Sequence, residues 1–338
     1  MKRIFLLFSF LLFFLTAAAA KDKKIAQTGF QFLSVTSDAR ASGMGEAMTT
    51  VQDHSTALFF NPAGMARSQN FLEVNFSQNT WIAGILHNSV SLSFAPMDGR
   101  YGVLGFSMQS VDYGEVQGTM VWPNDQGFID TEVFHPTAFC IGVGYARALS
   151  DRFSVGGHIK SAYQYLGKSV VPETDTTFTV DKNTLSTLAY DFGTIYETGW
   201  KEFAFGMSVR NFSQEIKYQS EGFQLPLTFR IGASINLLDF DPLHFLALPG
   251  TKDPRLLLSV DAIHPRSYAE RMNIGLEYNL FDLLYLRYGF LVNYDERSST
   301  VGFGLSKSLG KHFLSIDYAY TPFGIFDSVQ KFSIQIAI

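Results

Sequence analysis

The last third of the chain alternates in steps of two. In the stretch Arg271–Leu280, Met272, Ile274, Leu276, Tyr278 and Leu280 fall on one face, and Arg271, Asn273, Gly275, Glu277 and Asn279 on the other. Leu283–Val292 sets Leu284, Leu286, Tyr288, Phe290 and Val292 against Tyr285, Arg287 and Gly289, and Lys331–Ile338 repeats the pattern. A period of two sustained over roughly eight to ten residues specifies a β-strand. Large apolar side chains on one face and polar or tiny ones on the other suit a strand with lipid outside and an aqueous or packed lumen inside. Further segments of this kind are Phe71–Phe76, Asn88–Ala95, Tyr101–Gly114, Thr137–Leu149, Phe153–Leu166, Leu185–Tyr196, Phe203–Phe212, Leu225–Leu237, Arg255–Ile263, Thr300–Leu309 and Phe313–Tyr320. Together they predict an all-β transmembrane barrel of about fourteen antiparallel strands.

Connection lengths agree with that count. Short links at Ser150–Arg152, Glu197–Glu202, Phe281–Asp282 and Gly310–His312 alternate with longer ones at Glu115–Pro136, Gly167–Thr184, Ser213–Gln224 and Thr321–Gln330. Periplasmic turns and outer loops differ in this way when both ends of a barrel are periplasmic. The long link Asp239–Pro254 falls on the short side, either as a periplasmic elaboration or as a slip in the count. A secreted β-sandwich or lipocalin-like barrel is the soluble alternative. Against it stand the length of the strands and a small or polar face (Gly302, Gly304, Ser306; Gly142, Gly144, Ala146) that makes a poor exterior. A closed barrel also leaves no unpaired edge in lipid.

Composition points the same way. The 338 residues are 17% charged and 15% aromatic, with 33 Phe and 15 Tyr, against about 25% charged in average chains. No internal run reaches the roughly 18 apolar residues of a membrane-spanning helix. Residues 1–20 read as a cleavable signal peptide: Lys2 and Arg3 precede an apolar core, Ile4–Leu15, and a small-residue cleavage zone, Ala17–Ala20. Export to the bacterial outer membrane follows. With a single cysteine, Cys140, no intramolecular disulfide can form. A net charge of −5, without a Lys/Arg cluster, gives no basis for a nucleic-acid partner.

Residues 21–70 do not alternate. They are Ala- and Gly-rich and helix-compatible in places, and a lumen of fourteen strands is wide enough to need filling. They therefore read as an N-terminal hatch, with the barrel proper over residues 71–338. Within the hatch, Asn61-Pro62 fixes a turn, because Pro62 pre-sets φ and biases Asn61 away from helix. Gly64 is expected to carry the backbone through a non-standard angle.

The stretch FLSVTSDARASGMGEAMTTVQDHSTALFFNPAGMA (Phe32–Ala66) resembles the N-terminal signature of the PorV/PorQ family of outer-membrane proteins, within the broader group typified by the fatty-acid transporter FadL. Matching positions are Arg40, Gly43, Met44, Gly45, Ala47, Asp53, Asn61, Pro62, Ala63 and Gly64; the Leu225–Gly232 stretch also fits. The Asp…Asn-Pro-Ala-Gly spacing is shared with FadL-type proteins, whereas ARASGMG leans towards PorV. The resemblance implies a fourteen-stranded barrel with a hatch and, for the family's best-known members, service in type IX secretion. There the partners are a secretion translocon or exported cargo protein.

Catalytic and metal chemistry find little support. The seven histidines lie at no metal-ligand spacing, no G-x-S-x-G nucleophile motif occurs, and the Gly pair of Gly43-Met44-Gly45 follows no strand. No enzyme activity, cofactor or metal is expected. The charges on the lumen face are Lys160, Asp191, Arg210, Arg230, Asp261, Glu277, Arg287 and Asp317. They read either as ion pairs that rigidify the barrel and hold the hatch or as a polar path for a solute. Within them Arg230, Glu277, Arg287 and Asp317 are the expected lumen network, with Arg40 pairing to a carboxylate such as Asp317 or Glu277. Trp122, Phe128, Phe323 and Phe326 in the outer loops read equally as a docking surface or as girdle aromatics. Two functions remain open: a non-enzymatic binding or shuttle platform in protein secretion, and a FadL-like channel for hydrophobic small molecules. The second needs a contiguous apolar pocket, for which Met44, Met48, Leu58 and Phe59 of the hatch are the candidates.

Overall fold

The computed structural model describes residues 28–338 except residue 53, residues 173–177 and residues 219–220. The signal-peptide reading of residues 1–20 lies outside the described residues. In chain order the strands are β1 (Leu72–Thr80), β2 (Leu86–Phe94), β3 (Val103–Asp112), β4 (Val116–Val121), β5 (Phe128–Phe134), β6 (Thr137–Ala148), β7 (Phe153–Pro172), β8 (Phe178–Glu197) and β9 (Ala204–Phe212). They continue with β10 (Ile216–Tyr218), β11 (Glu221–Phe223), β12 (Thr228–Asn236), β13 (Leu256–Pro265), β14 (Arg271–Leu280), β15 (Leu284–Val292), β16 (Ser299–Leu309), β17 (His312–Pro322) and β18 (Ser328–Ala337). Two hairpins, β4–β5 and β10–β11, stand apart; the other fourteen strands form one closed barrel in sequence order. The last strand closes on the first, with Val74 opposite Ile336 and Phe76 opposite Ile334.

Alternation sorts the side chains as a membrane requires. Leu104, Phe106 and Met108 of β3, Phe139, Ile141 and Val143 of β6, and Val301, Phe303 and Leu305 of β16 are exposed on the outer wall. Between them Ser107, Cys140, Ser306 and their neighbours are buried inside. This is the lipid-out, polar-in pattern of an outer-membrane barrel, and the outer membrane is where the protein resides.

The structure revises several loops. The Glu115–Pro136 connection contains the β4–β5 hairpin and the Ser213–Gln224 connection the β10–β11 hairpin. Gly167–Thr184 is no loop at its flanks: β7 and β8 stay paired out to Pro172 opposite Phe178, past an irregularity between Tyr165 and Lys168. Beyond the bilayer, backbone pairing continues while the apolar face that advertises a strand is no longer required. On the short-turn side, the long link 239–254 holds the 3-10 turn Asp241–Leu246, and β12 and β13 on either side pair directly. The strand count does not slip there.

Residues 28–66 run through the interior. Thr28 bridges Gln224 near β11, and its hydroxyl shares a 2.9 Å hydrogen bond with Ser267, so this stretch begins at the long-loop end. The chain then forms a short helix, Ala39–Gly43, whose first turn is capped by the Asp38 carboxylate accepting from the Ala41 N–H at 2.7 Å. That helix packs against β15, β16, β17 and β18. A 3-10 turn at Pro62–Met65 crosses to β6, β7 and β8. Apolar clusters fix the path: Phe30, Phe32 and Leu33 against Val111, Cys140 and Leu225, Met44, Met48 and Phe60 against Leu257, and Leu58 and Met65 against Val103 and Ala146. Cys140 is a buried, free thiol within the first of these.

Candidate functional site

The functional geometry lies where this N-terminal segment meets the lumen wall. Alternation on β14, β15 and β17 turns Glu277, Arg287 and Asp317 inward, and they meet as a chain. Arg287 Nε donates to Glu277 Oε2 at 2.6 Å and its Nη1 to Asp317 Oδ1 at 2.6 Å. Ser315 donates to the other Asp317 oxygen at 2.8 Å. Arg40 of the short helix completes the chain with a two-pronged contact to Glu277, Nε to Oε2 at 2.8 Å and Nη2 to Oε1 at 2.7 Å. Such a fork fixes orientation as well as distance. Of the two carboxylates within sequence reasoning's reach, Glu277 takes Arg40 and Asp317 takes Arg287.

Arg230 belongs elsewhere. It sits 3.8 Å from both Glu46 and Asp261, and its Nη1 donates to the Glu46 backbone oxygen at 2.9 Å. Asp261 in turn accepts from the Met48 and Thr49 N–H groups and the Thr49 hydroxyl, at 3.1, 3.1 and 2.6 Å. Glu46 receives Arg297 from the β15–β16 loop at 2.7 Å. Neither Glu46 nor Arg297 was singled out from sequence; they are 251 residues apart, and Glu46 lies in a stretch with no periodicity to assign it a face. Burial opposes ionisation of Glu46, but the charges of Arg297, Lys331 and Arg230 prevail and hold its carboxyl down to about 2. A depressed carboxylate contributes stability above its ordinary pKa of 4.5 and loses it as pH falls towards 2. Acidification from pH 5 to pH 2 is therefore expected to loosen this part of the segment by on the order of 3 kcal/mol. Amide exchange of residues 44–51 in the native protein and in Glu46→Gln checks this; an unchanged acid transition in the variant counts against it.

The Asn-Pro-Ala-Gly turn is held by backbone contacts. Asn61 is extended (φ −146°, ψ 105°) before Pro62, and its Oδ1 accepts from the Ala63 N–H at 3.1 Å. Its Nδ2 donates to the carbonyls of Thr49 at 2.7 Å and of Thr194 on β8 at 3.1 Å. One side chain thus ties two parts of the segment to the wall. Gly156 and Gly193 leave the room: a Cβ at either would strike Pro62 or Asn61. Gly45 has φ +60° and a Cβ there would come within 3.1 Å of the Gly289 Cα, so both conformation and space demand glycine. Gly43 abuts Gly302 in the same way. Gly64, expected to adopt an unusual angle, has no positive φ; it sits inside the 3-10 turn, where its N–H donates to the Asn61 carbonyl at 2.9 Å. Asp53 lies outside the described residues.

A second internal cluster has the makings of a proton relay. Ser107 Oγ is 2.9 Å from His158 Nε2, and His158 Nδ1 is 3.0 Å from Asp191 Oδ2. Asp191 also holds Lys160 at 2.8 Å and accepts from the Asn211 N–H at 2.7 Å. Seriate Ser-His-Asp contacts resemble the order of a nucleophile, its base and an orienting acid. Acyl transfer needs in addition a space near the serine for the reacting carbon and its oxyanion, and Ser107, 3% exposed, is packed inside the wall. As built, the relay pins three strands together from inside.

Met44, Met48 and Phe59 pack together, and Leu58 packs with Met65; these side chains fill apolar cores rather than line a hollow. Trp122, Phe128 and Phe326 are exposed on the long-loop side. Phe323 instead packs edge-on against Trp81 at 4.9 Å. No His/Cys/Asp/Glu group suited to a metal occurs among the described residues.

Comparison with known proteins adds a family and a fold. The family model described as "Type IX secretion system protein PorV" matches residues 18–247. No curated protein sequence matches. Among solved structures, the toluene transporter TbuX of Ralstonia pickettii superposes with a TM-score of 0.57 at 11% identity, covering 92% of this chain and 98% of that one. The toluene transporter TodX of Pseudomonas putida gives 0.55 at 11% identity over 88% and 96%. A FadL homologue of Pseudomonas aeruginosa gives 0.52 at 12% identity over 90% and 98%. At such identities these three share the fold with this chain and nothing finer.

Proposed function

The chain belongs to the PorV family of type IX secretion system proteins, and on that premise we propose that it is a plugged outer-membrane barrel acting without catalysis as a binding platform for exported protein or for the secretion translocon. Residues 28–66 are the plug, and Arg40, Gly43, Gly45, Asn61, Pro62 and Gly64 seat it. The observation that carries the reading is the filled lumen: the plug is tied to the wall by ion pairs and packed apolar clusters, not wrapped around an apolar hollow. What the protein then offers is its outer face, where the β4–β5 hairpin presents Trp122 and Phe128 and the β17–β18 connection presents Phe326. Exposed aromatics without a packing role suit a partner-binding surface.

An uptake channel for hydrophobic molecules is the competing reading, favoured by the shared barrel fold alone. It requires an apolar pocket that leads through the lumen. The packed methionine clusters fill that path, and the cavity at the outer mouth mixes Leu166, Leu185 and Phe223 with Glu215, Glu221 and Arg266. The test replaces the β4–β5 hairpin and residues 323–327 with short turns, leaving every barrel strand intact. Recovery of a co-purifying exported protein or translocon component in mild detergent should then drop at least tenfold. Undiminished recovery removes the platform reading, and stoichiometric fatty acid in the purified protein installs the channel in its place.

A further inference from the structure

We infer that the outward side of the plug carries a carboxylate-binding site, formed by Arg210, Arg230, Arg266, Arg271 and Arg297, that takes an acidic group presented by a polypeptide. These five arginines line one cavity of about 60 Å³ between the plug and β9, β12, the β13–β14 connection, the start of β14 and the β15–β16 loop. A water needs roughly 10–15 Å³ of such space, so the cavity accommodates a group of a few heavy atoms. One carboxylate of this chain, Glu46, lines it.

The charges do not balance. Glu46 is taken by Arg297 at 2.7 Å, and Arg230 shares Glu46 and Asp261 at 3.8 Å. Arg210 is 8% exposed, and among the described residues it makes no direct ion pair; Asp191 and Glu46 are the nearest acting carboxylates. Its hydrogen bond is a 3.5 Å contact to the Leu33 carbonyl, and its Nε has no partner. Those two carboxylates act on Arg210 only from beyond ion-pair distance; a buried charge without a direct partner is costly, and an anion entering this cavity would supply that contact. Arg271 lies over the rings of Tyr268 and Tyr294, each centroid 4.2 Å from its guanidinium carbon. Its Nε is buried without a hydrogen-bond partner, and a guanidinium held against aromatic rings is suited to gripping a two-oxygen group through its remaining donors.

Access and size favour a polypeptide as the bearer. The small cavity shares Arg266 and Ser267 with a vestibule of about 920 Å³ at the outer mouth, walled by Leu166, Leu185, Tyr218 and Phe223. The vestibule also carries Glu215 and Glu221, and among the described residues the only cation on its wall, Arg266, is the one that also lines the small cavity. That space takes several residues of extended chain, with the arginines at its inner end. The polypeptide source rests on the platform reading; the site itself does not.

Titration calorimetry on the full-length barrel in detergent tests the inference with acetyl-Gly-Ser-Gly bearing a free carboxylate, its C-terminal amide, and inorganic phosphate. The acid is expected to bind at least tenfold more tightly than the amide and than phosphate. Arg210→Gln and Arg271→Gln are each expected to weaken the acid about tenfold, the loss of one charged hydrogen bond, while heat-modifiable gel migration is kept. Equal binding of acid and amide, no binding of either, or unaltered affinity in both variants overturns the site. Tighter binding of phosphate than of the acid overturns the carboxylate assignment and points to a phosphorylated headgroup or free phosphate. The platform reading fails on a different result, undiminished partner recovery after hairpin replacement, so the two are separable.

Discussion

Deleting Thr28–Ala66 is expected to turn a closed barrel into an open pore. Fourteen strands about 4.8 Å apart and tilted about 40° give a backbone radius of roughly 14 Å. Inward side chains of the wall are mainly Gly, Ser, Asn and Ala, so they do not fill a space of that width. The filling comes from the plug: Phe30, Leu33, Met44, Met48, Leu58 and Met65 are all 1% exposed or less and belong to it. Without them Val103, Ala146 and Leu257 face water, a modest cost spread over small patches. The strands keep their full ladder, since each barrel strand pairs with two others independently of the plug. Planar-bilayer recordings should therefore show steady, ohmic, porin-like conductance for the deletion and baseline for the intact protein. A deletion variant that inserts, stays heat-modifiable and remains closed would overturn the assignment of residues 28–66 as the plug.

Sequence legibility followed the bilayer. From β12 onward every barrel strand was readable because lipid demands a large apolar residue at each second position, and Leu284–Val292 or Lys331–Ile338 has little freedom to depart from that. Outside the membrane the demand lapses. The β4–β5 and β10–β11 hairpins and the outer halves of β7 and β8 carry no continuous apolar face, so they read as loops although their backbones are paired. The wall charges were legible one by one, since alternation assigns Glu277, Arg287 and Asp317 to the lumen. Which charge meets which was not. Arg230 is on the same face as Glu277 yet joins Glu46, because partner choice depends on where the plug lies at each depth. Glu46, Arg297 and the Ser107–His158–Asp191 relay were missed for the same reason: each draws on residues from separate parts of the sequence, and no local pattern links them. The arginines around Arg210 are likewise scattered over four elements and form a cluster only once the barrel closes.

The Arg40–Glu277–Arg287–Asp317 chain predicts a marked asymmetry between its members. Glu277 is shared by two guanidinium groups, and Arg287 by two carboxylates, with Glu277 and Arg287 side chains 4% and 3% exposed. Removing the shared acid leaves Arg40 without its fork and Arg287 with Asp317 alone. Breaking a buried pair in this way costs about 3–5 kcal/mol, so Glu277→Ala should destabilise the plugged state by that amount. Arg40→Met is the milder change. Arg40 is 20% exposed in its side chain, and Glu277 keeps Arg287 at 2.6 Å, so the expected loss is about 1–2 kcal/mol. The double variant should cost less than the sum of the two, because the Arg40–Glu277 fork is lost in each single variant and can be lost only once. Proteolysis of the Ala39–Gly43 region under native conditions, in the two single variants and the double, measures all three values. Strict additivity would mean that the fork between Arg40 and Glu277 contributes nothing to seating the plug, and that packing of Met44, Met48 and Phe60 alone holds it in the lumen.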